Sequence, residues 1–344
     1  MTEYGLTTFI DLSRNEELFS TVENADLPNP FPNIEERTHI HKRQILRTSA
    51  NLVQLFRHGV SEIMTELDIT GRDCEGIVIS SCNPANQKSL DTLACFIACE
   101  NGIDQHAGVN YACSGFPASV EKAMDMENKK KKHILIITAE IASALVDWDD
   151  ENTAVVFGDG LAATSIVPGG RHPVLHAEAK GDVADPKRCL ELIPKTGTRN
   201  IYDNIVDEAR PVISMGKHGG KQLYRAVPKR FLSLIAESRF GLEGVDRIVS
   251  HQANGRFAQK MRDELPDDSP IQIVNTIADQ GNIVSASIPV ALSKKIDSFK
   301  PGEIVACPAK GAGENFVSGT LSEGLLVFEV GEKYTHPLWI QLLK

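Results

Sequence analysis

The sequence is poor in every feature that would direct a chain to nucleic acid, membrane or the cell exterior. Its 36 Lys and Arg are outnumbered by 46 Asp and Glu, a formal net charge of −10. That balance excludes general affinity for polyanions and leaves only a local basic patch for an acidic partner. No apolar run approaches the ~20 residues of a membrane span. The opening Met1-Thr2-Glu3-Tyr4-Gly5 has neither a basic start nor a long apolar stretch, so no secretory signal and a cytoplasmic location are expected. Aromatic residues are few, at 6%. Seven cysteines are present, but an odd number at irregular spacing (74, 82, 95, 99, 113, 189, 307) excludes a disulfide framework and fits a reducing compartment. Cys95 and Cys99 stand one helical turn apart without a second pair or His cluster, so a buried helix face is expected there and not a metal site. The remaining composition, 42% hydrophobic and 24% charged over 344 residues, suits a globular enzyme of two domains or one pseudo-repeated domain.

One cysteine has a distinctive context. Cys113 lies in Asn110-Tyr111-Ala112-Cys113-Ser114-Gly115-Phe116-Pro117, where an apolar strand-like run stops and a helix-like run begins. First-turn N–H groups and the positive end of a helix dipole favour a thiolate. Gly115 permits close backbone approach, and Pro117 fits a first turn that needs no N–H there. Taken alone, a lone cysteine is more often a small buried hydrophobe.

A weak internal repeat gives that cysteine company. In the first half, residues 76–81 read as a buried strand, 90–101 as a helix, 108–110 as a strand end before the Cys113 turn, and 133–138 as a second buried strand. In the second half, 246–250 read as a strand, 256–264 as a helix, 273–275 as a strand end, 288–296 as a helix and 303–307 as a strand. Val-Asn recurs before each turn. Continuous apolar strands alternating with helices predict an α/β fold with strands covered on both faces. The halves divide at 1–168 and 169–344. Residues from about 169 to 229, rich in Gly, Pro and charge, are expected as an irregular insertion over the site, with a helix from Lys221 to Glu237. Residues 15–45 read as irregular, and Lys129–Lys132 as a solvated loop.

His251 follows the strand ending at Ser250, and Asn282 occupies the turn Asp279-Gln280-Gly281-Asn282. Strand ends and the loops after them are where ligands gather in open α/β sheets. If the halves pack about a pseudo-twofold, Cys113, His251 and Asn282 open onto one cleft. A thiolate accepts an acyl group from a thioester, and backbone N–H groups hold the tetrahedral oxyanion. Gly311-Ala312-Gly313 after the last strand can bring such an N–H beside that of Cys113. A neutral His and an Asn amide can both donate to a second thioester carbonyl and stabilise an enolate formed by decarboxylation. This chemistry requires no metal or redox cofactor.

The order Ala112-Cys113-Ser114-Gly115-Phe116, Phe157-Gly158-Asp159-Gly160, His251-Gln252-Ala253-Asn254, Gly281-Asn282-Ile283-Val284-Ser285-Ala286-Ser287-Ile288-Pro289 and the late Gly-rich turn resembles β-ketoacyl-acyl-carrier-protein synthase III. The resemblance spans roughly residues 35 to 328. It implies a thiolase fold, two duplicated halves in a five-layered αβαβα arrangement. It implies Cys113 as acyl acceptor, His251 with Asn282 as the decarboxylation pair, and Cys113, Gly311 and Gly313 at the oxyanion hole. It also implies substrate contacts at Arg37, Gly220 and Asn254, docking of an acyl carrier protein at Arg225 and Arg256, and a homodimer. Thioesters of coenzyme A or of the carrier protein are substrates, and no cofactor is needed.

Two departures bear on the donor. Asn33 stands where the family commonly has a Trp that stacks on the coenzyme A adenine. Glu151 replaces an Arg usual a few residues before Phe157-Gly158-Asp159-Gly160, while Arg37 is retained. Together these weaken coenzyme A binding by an expected ~1–3 kcal/mol and tilt the role toward secondary metabolism or an unusual primer. The final loop, residues 313–319, also reads as longer than usual in the family. Two alternatives remain at this point: acyl transfer to an amine or alcohol without decarboxylation, and a non-catalytic subunit of a heterodimeric synthase.

Overall fold

A computed structural model describes residues 3–83, 87–184, 191–215, 219–312 and 320–332. In the first half, β1 (Tyr4–Asp11) is followed by β2 (Phe19–Glu23), α1 (Ile34–Thr38), β3 (Lys42–Leu46), α2 (Leu52–Leu67), β4 (Cys74–Ser80), α3 (Gln87–Glu100), β5 (Gln105–Val109), α4 (Gly115–Met124), β6 (His133–Ile141) and β7 (Asp159–Pro168). The second half runs β8 (His172–Ala184), β9 (Glu191–Lys195), β10 (Thr198–Arg199), β11 (Ile205–Val206), β12 (Arg210–Ser214), α5 (Gly219–Glu237), β13 (Arg247–Ile248), α6 (Arg256–Glu264), β14 (Gln272–Ile273), α7 (Ser287–Lys295), β15 (Ile304–Ala312) and β16 (Thr320–Glu329).

Ten strands join in the order β14-β13-β15-β16-β8-β1-β7-β6-β4-β5. Read from the middle outward, the two arms are the same: β1, β7, β6, β4, β5 on one side and β8, β16, β15, β13, β14 on the other. In each arm the three outer strands are parallel, and the next strand inward runs antiparallel to them. The arms meet at β1 and β8 through two residue pairs, Gly5 with Pro173 and Leu6 with His172.

The pleat of each buried strand explains the layers. On β4, Ile77 and Ile79 face one side and Val78 the other; on β6, Leu135 and Ile137 oppose Ile134 and Ile136. The first set packs under Leu55 and Ile63 of α2 and Leu90 and Ile97 of α3. The second set meets Phe116 and Val120 of α4 and Ile288 and Leu292 of α7, with Val305 and Leu326 from the other arm. The far face of that arm is covered by Phe231 and Ile235 of α5 and Met261 of α6. Helices α4 and α7 therefore lie between the two arms, and the layering is αβαβα, the thiolase fold.

Several expectations change. Residues 172–184 are not part of an insertion: they form β8, the second-half counterpart of β1, paired with both β1 and β16. The inserted piece begins beyond β8, where β9 pairs with β12 and β10 with β11. Residues 15–45 include the β2–β3 pair and α1. β15 runs to Ala312, well past Cys307. Cys95 and Cys99 do not form the buried face of α3: Leu90, Ala94, Ile97 and Ala98 do, while Cys99 is exposed. Lys129–Lys132 fall in the loop between α4 and β6. Among the described residues no helix is long and apolar enough to cross a membrane, and no group of three His, Cys, Asp or Glu could hold a metal ion.

Candidate active site

The joint between β5 and α4 is a sharp elbow. Ala112–Ser114 form one 3-10 turn and α4 continues from Gly115. Ala112 takes φ +43°, a conformation L-residues rarely adopt. Pro117 is third in α4, where its missing N–H costs nothing. The second half builds the same joint. Val284 takes φ +48°, Val284–Ala286 form a 3-10 turn, and α7 follows with Pro289 third. Ser285 is thus the positional counterpart of Cys113. Asn282 stands three residues before Ser285, as Asn110 stands three before Cys113, although a further loop separates β14 from the second elbow. The elbows touch: a Cβ on Gly115 would lie 2.4 Å from Ser80 Oγ and 2.8 Å from Ser285 Cβ.

Asn282 is held by backbone on both sides. Its N–H donates to the Val156 carbonyl at 2.8 Å, and its carbonyl accepts from Gly158 N–H at 3.1 Å. Its side-chain Oδ1 accepts from Val284 N–H at 3.0 Å, so the amide NH2 is the end left for the cavity. The Phe157-Gly158-Asp159-Gly160 segment seats this loop. A Cβ on Gly158 would lie 2.5 Å from the Gln280 carbonyl oxygen, and one on Gly160 2.8 Å from Ile283 Cδ1. The buried Asp159 carboxylate accepts from Leu46 N–H and Ser143 N–H, each at 2.8 Å, and from the Ser143 hydroxyl at 2.7 Å, while burial lifts its pKa to about 6.

His251 is buried, and its N–H donates to the Pro308 carbonyl at 3.0 Å. Its Nδ1 lies 2.8 Å from Ser287 Oγ, and its Nε2 has no hydrogen-bond partner among the described residues. Burial pushes its pKa down to about 3, so the ring is neutral at physiological pH.

Cys113, His251, Asn282 and Gly311 line one cavity of about 380 Å³. A Cβ on Gly311 would lie 2.6 Å from Cys113 Cβ and 2.8 Å from its N and Sγ, so the β15 backbone runs against the nucleophile. Gly313 lies outside the described residues. Phe157, Ile213, Met215, Leu223, Val227 and Phe257 supply apolar wall. The surroundings of the Cys113 thiol oppose the thiolate that a helix N-terminus favours. Burial pushes its pKa up, nearby Glu140 adds to the shift, and its own backbone N–H pulls only partly back.

The expected substrate contacts fall mostly on the rim. Arg37 lines the cavity, with its Nη1 3.2 Å from Glu151 Oε1. Asn254 also lines it, yet its amide ties the scaffold: Nδ2 donates to the Arg37 carbonyl at 3.2 Å and Oδ1 accepts from Arg256 N–H at 2.9 Å. Arg256 lines the cavity with its guanidinium 4.9 Å above the Tyr224 ring. Arg225 is exposed on α5 and is not among the cavity residues, and Gly220 sits in the first turn of α5.

Sequence reasoning missed three groups. Ser287 orients His251. Lys310 lines the cavity and pairs with Glu323, which Arg230 grips from its other side at 2.9 Å. Glu140 is the one charge in the buried run of β6, and that isolation was the available signal.

Comparison with known proteins bears on the same elements. The family model for 3-oxoacyl-[acyl-carrier-protein] synthase III matches residues 108–182, and its C-terminal counterpart matches 235–322. The β-ketoacyl-[acyl-carrier-protein] synthase III of Trichodesmium erythraeum is 28% identical over 323 residues, 92% of this chain and 93% of that protein. That of Bacillus pumilus is 26% identical over 81% of this chain and 86% of that protein. Among solved structures, the priming β-ketosynthase of the R1128 polyketide biosynthetic pathway superposes with TM-score 0.73 at 19% identity, covering 96% of each chain. The 3-oxoacyl-(acyl carrier protein) synthase III of Pseudomonas aeruginosa gives 0.70 at 18%, covering 96% of this chain and 99% of that one. With family models on both elbows, relatives matched over most of their length and a shared two-armed fold, the chain is similar throughout to the β-ketoacyl-acyl-carrier-protein synthase III enzymes of the thiolase superfamily.

Proposed function

We propose that the protein is an acyltransferase that loads an acyl group from a thioester onto Cys113 and condenses it with a malonyl-type thioester. In the first step the Cys113 sulfur attacks the thioester carbonyl, the carrier thiol leaves, and an acyl-cysteine forms. In the second step the malonyl thioester loses CO₂ to give an enolate, whose carbon attacks the acyl-cysteine. The products are a 3-oxoacyl thioester and the free Cys113 thiol. The observation that carries this reading is the shared cavity: a neutral imidazole with unpartnered Nε2 and an amide NH2 line it together with the cysteine. Two neutral donors suit an enolate oxygen, because they stabilise developing charge without reorganising. Gly311, whose backbone runs against Cys113, belongs to the oxyanion side of the nucleophile.

For the donor, the Arg37–Glu151 pair favours carrier-protein delivery over coenzyme A, since the rim cation is already matched by a carboxylate. Exposed Lys221, Arg225 and Arg256 offer an acidic carrier protein a basic edge. The oligomer is a homodimer, supported by the open edge of β5, where a second copy can continue the sheet. Its compartment is the cytoplasm.

Incubation with acyl thioesters adds one acyl mass to Cys113, and Cys113→Ala abolishes it. Asn282→Ala loads normally but releases no CO₂ from a malonyl thioester. Turnover that survives Asn282→Ala would favour transfer without decarboxylation instead.

A further inference from the structure

Glu140 sits where the two elbows meet. The residue is fully buried near the end of β6. Its Oε2 accepts the Cys82 N–H at 2.9 Å, from the chain just past β4. Its Oε1 accepts the Ser285 N–H at 3.3 Å and the Ser285 hydroxyl, which lies 3.4 Å from Ser80 Oγ. One carboxyl group thus ties the first-half loop at Cys82 to the second-half elbow at Ser285. That elbow presses on Gly115, two residues beyond Cys113. Cys82, Cys113 and Val284 belong to one apolar cluster around this junction.

No cation answers the charge among the described residues. The titratable groups facing Glu140 are two thiols, Cys82 from the chain past β4 and Cys113 from the first elbow; the second elbow contributes a hydroxyl and an N–H. An ion buried with hydrogen bonds but no counterion is costly, and it acts at full strength on its neighbours because little water screens it.

We propose that Glu140 is a positioning residue for Cys113: its two oxygens fix the spacing of the elbows, and its negative charge adds to the burial that keeps the resting sulfur a thiol. Burial lifts the carboxyl to about 7, so a substantial part of the enzyme carries this charge at neutral pH. The proposal rests on Cys113 being the acyl acceptor.

Alkylation of Cys113 by iodoacetamide, followed by peptide mass spectrometry across pH and without substrate, tests it. Glu140→Gln removes the charge at nearly constant volume and speeds Cys113 alkylation at pH 7 by about tenfold. Glu140→Asp keeps the charge and holds the wild-type alkylation midpoint. Ser285→Ala leaves the carboxylate less well bonded, raises its pKa, and moves the midpoint in the direction of Glu140→Gln by a smaller amount. Ser285→Ala preserves the measurement if Glu140→Gln does not fold. Unchanged profiles in the folded variants, or slower alkylation in Glu140→Gln, overturn the proposal. Normal alkylation with no acyl loading in the wild type overturns the proposed function instead.

Discussion

Ser287 Oγ lies 2.8 Å from His251 Nδ1 while accepting the Gln252 N–H at 3.3 Å. That N–H occupies one of the two lone pairs of Ser287 Oγ, and the hydroxyl proton is the one given to Nδ1 in the tautomer that the proposed condensation uses. The imidazole proton is then on Nε2, the nitrogen that can donate into the cavity. Ser287→Ala frees the tautomer and lowers the rate of CO₂ release from the malonyl thioester by about 10- to 100-fold. Acyl loading of Cys113, followed by mass, stays near wild type.

The same burial sets a pH expectation. A His251 pKa near 3 means that the neutral ring persists from pH 8 down to pH 5. Condensation therefore shows no acid limb near pH 6.5, where an ordinary histidine would protonate. A pH–rate profile of CO₂ release with pre-acylated enzyme reads this directly, and a limb at 6–7 would remove His251 as its source.

At the rim, Glu151 spends the charge of Arg37. Glu151→Arg replaces that partner by a second cation. The expected result is a roughly tenfold rise in kcat/KM for acyl-coenzyme A donors with little change for acyl-carrier donors. Steady-state kinetics with one acyl chain on both carriers distinguishes the two.

Gly311→Ala places a methyl 2.6 Å from Cys113 Cβ and 2.8 Å from its backbone N, neither of which can swing aside. Loading should fall by at least roughly 100-fold, through the shifted nucleophile and its oxyanion donors. Far-UV circular dichroism should stay that of the wild type.

His172 provides a test at the seam. It is buried on β8 with Nδ1 accepting the Gly331 N–H at 3.1 Å, and the Phe9 and Phe328 rings lie 6.0 and 5.9 Å away. Burial lowers its pKa from 6.5 to about 4. Between those values the unfolded chain binds a proton that the folded chain refuses. The stability due to the neutral ring is whole above pH 6.5 and is lost as pH falls toward 4, by up to about 3 kcal/mol. Urea midpoints should fall with acidification more steeply in the wild type than in His172→Leu.

Much of the site was legible because each member sits at a strand-to-helix joint with its own local mark: Gly115 and Pro117 after Cys113, Gly281 before Asn282, an apolar strand before His251. Periodicity recovered the parallel strands for the same reason, since runs such as Ile77-Val78-Ile79 are apolar on both faces. β8 escaped because its thirteen residues are mostly half-buried and carry His, Glu, Lys and Asp, which reads as an irregular polar stretch. Against the thiolate expectation stands a long-range quantity. A helix dipole is visible in sequence, but the burial of Cys113 and the approach of Glu140 arise only when α4 is enclosed between the arms. Ser285 as the counterpart of Cys113 was hidden by the extra loop that offsets the second half.

The meeting of β1 with β8 has a consequence for how the chain must come together. β1, far in sequence from both its neighbours, is the middle of the finished sheet: Tyr4 pairs with Pro168, and Leu6 pairs with both Ile166 and His172. Until those partners are made, β1 has no sheet to join. β1 is therefore the keystone of the sheet, and deleting it would split the vault along its crown instead of trimming an edge.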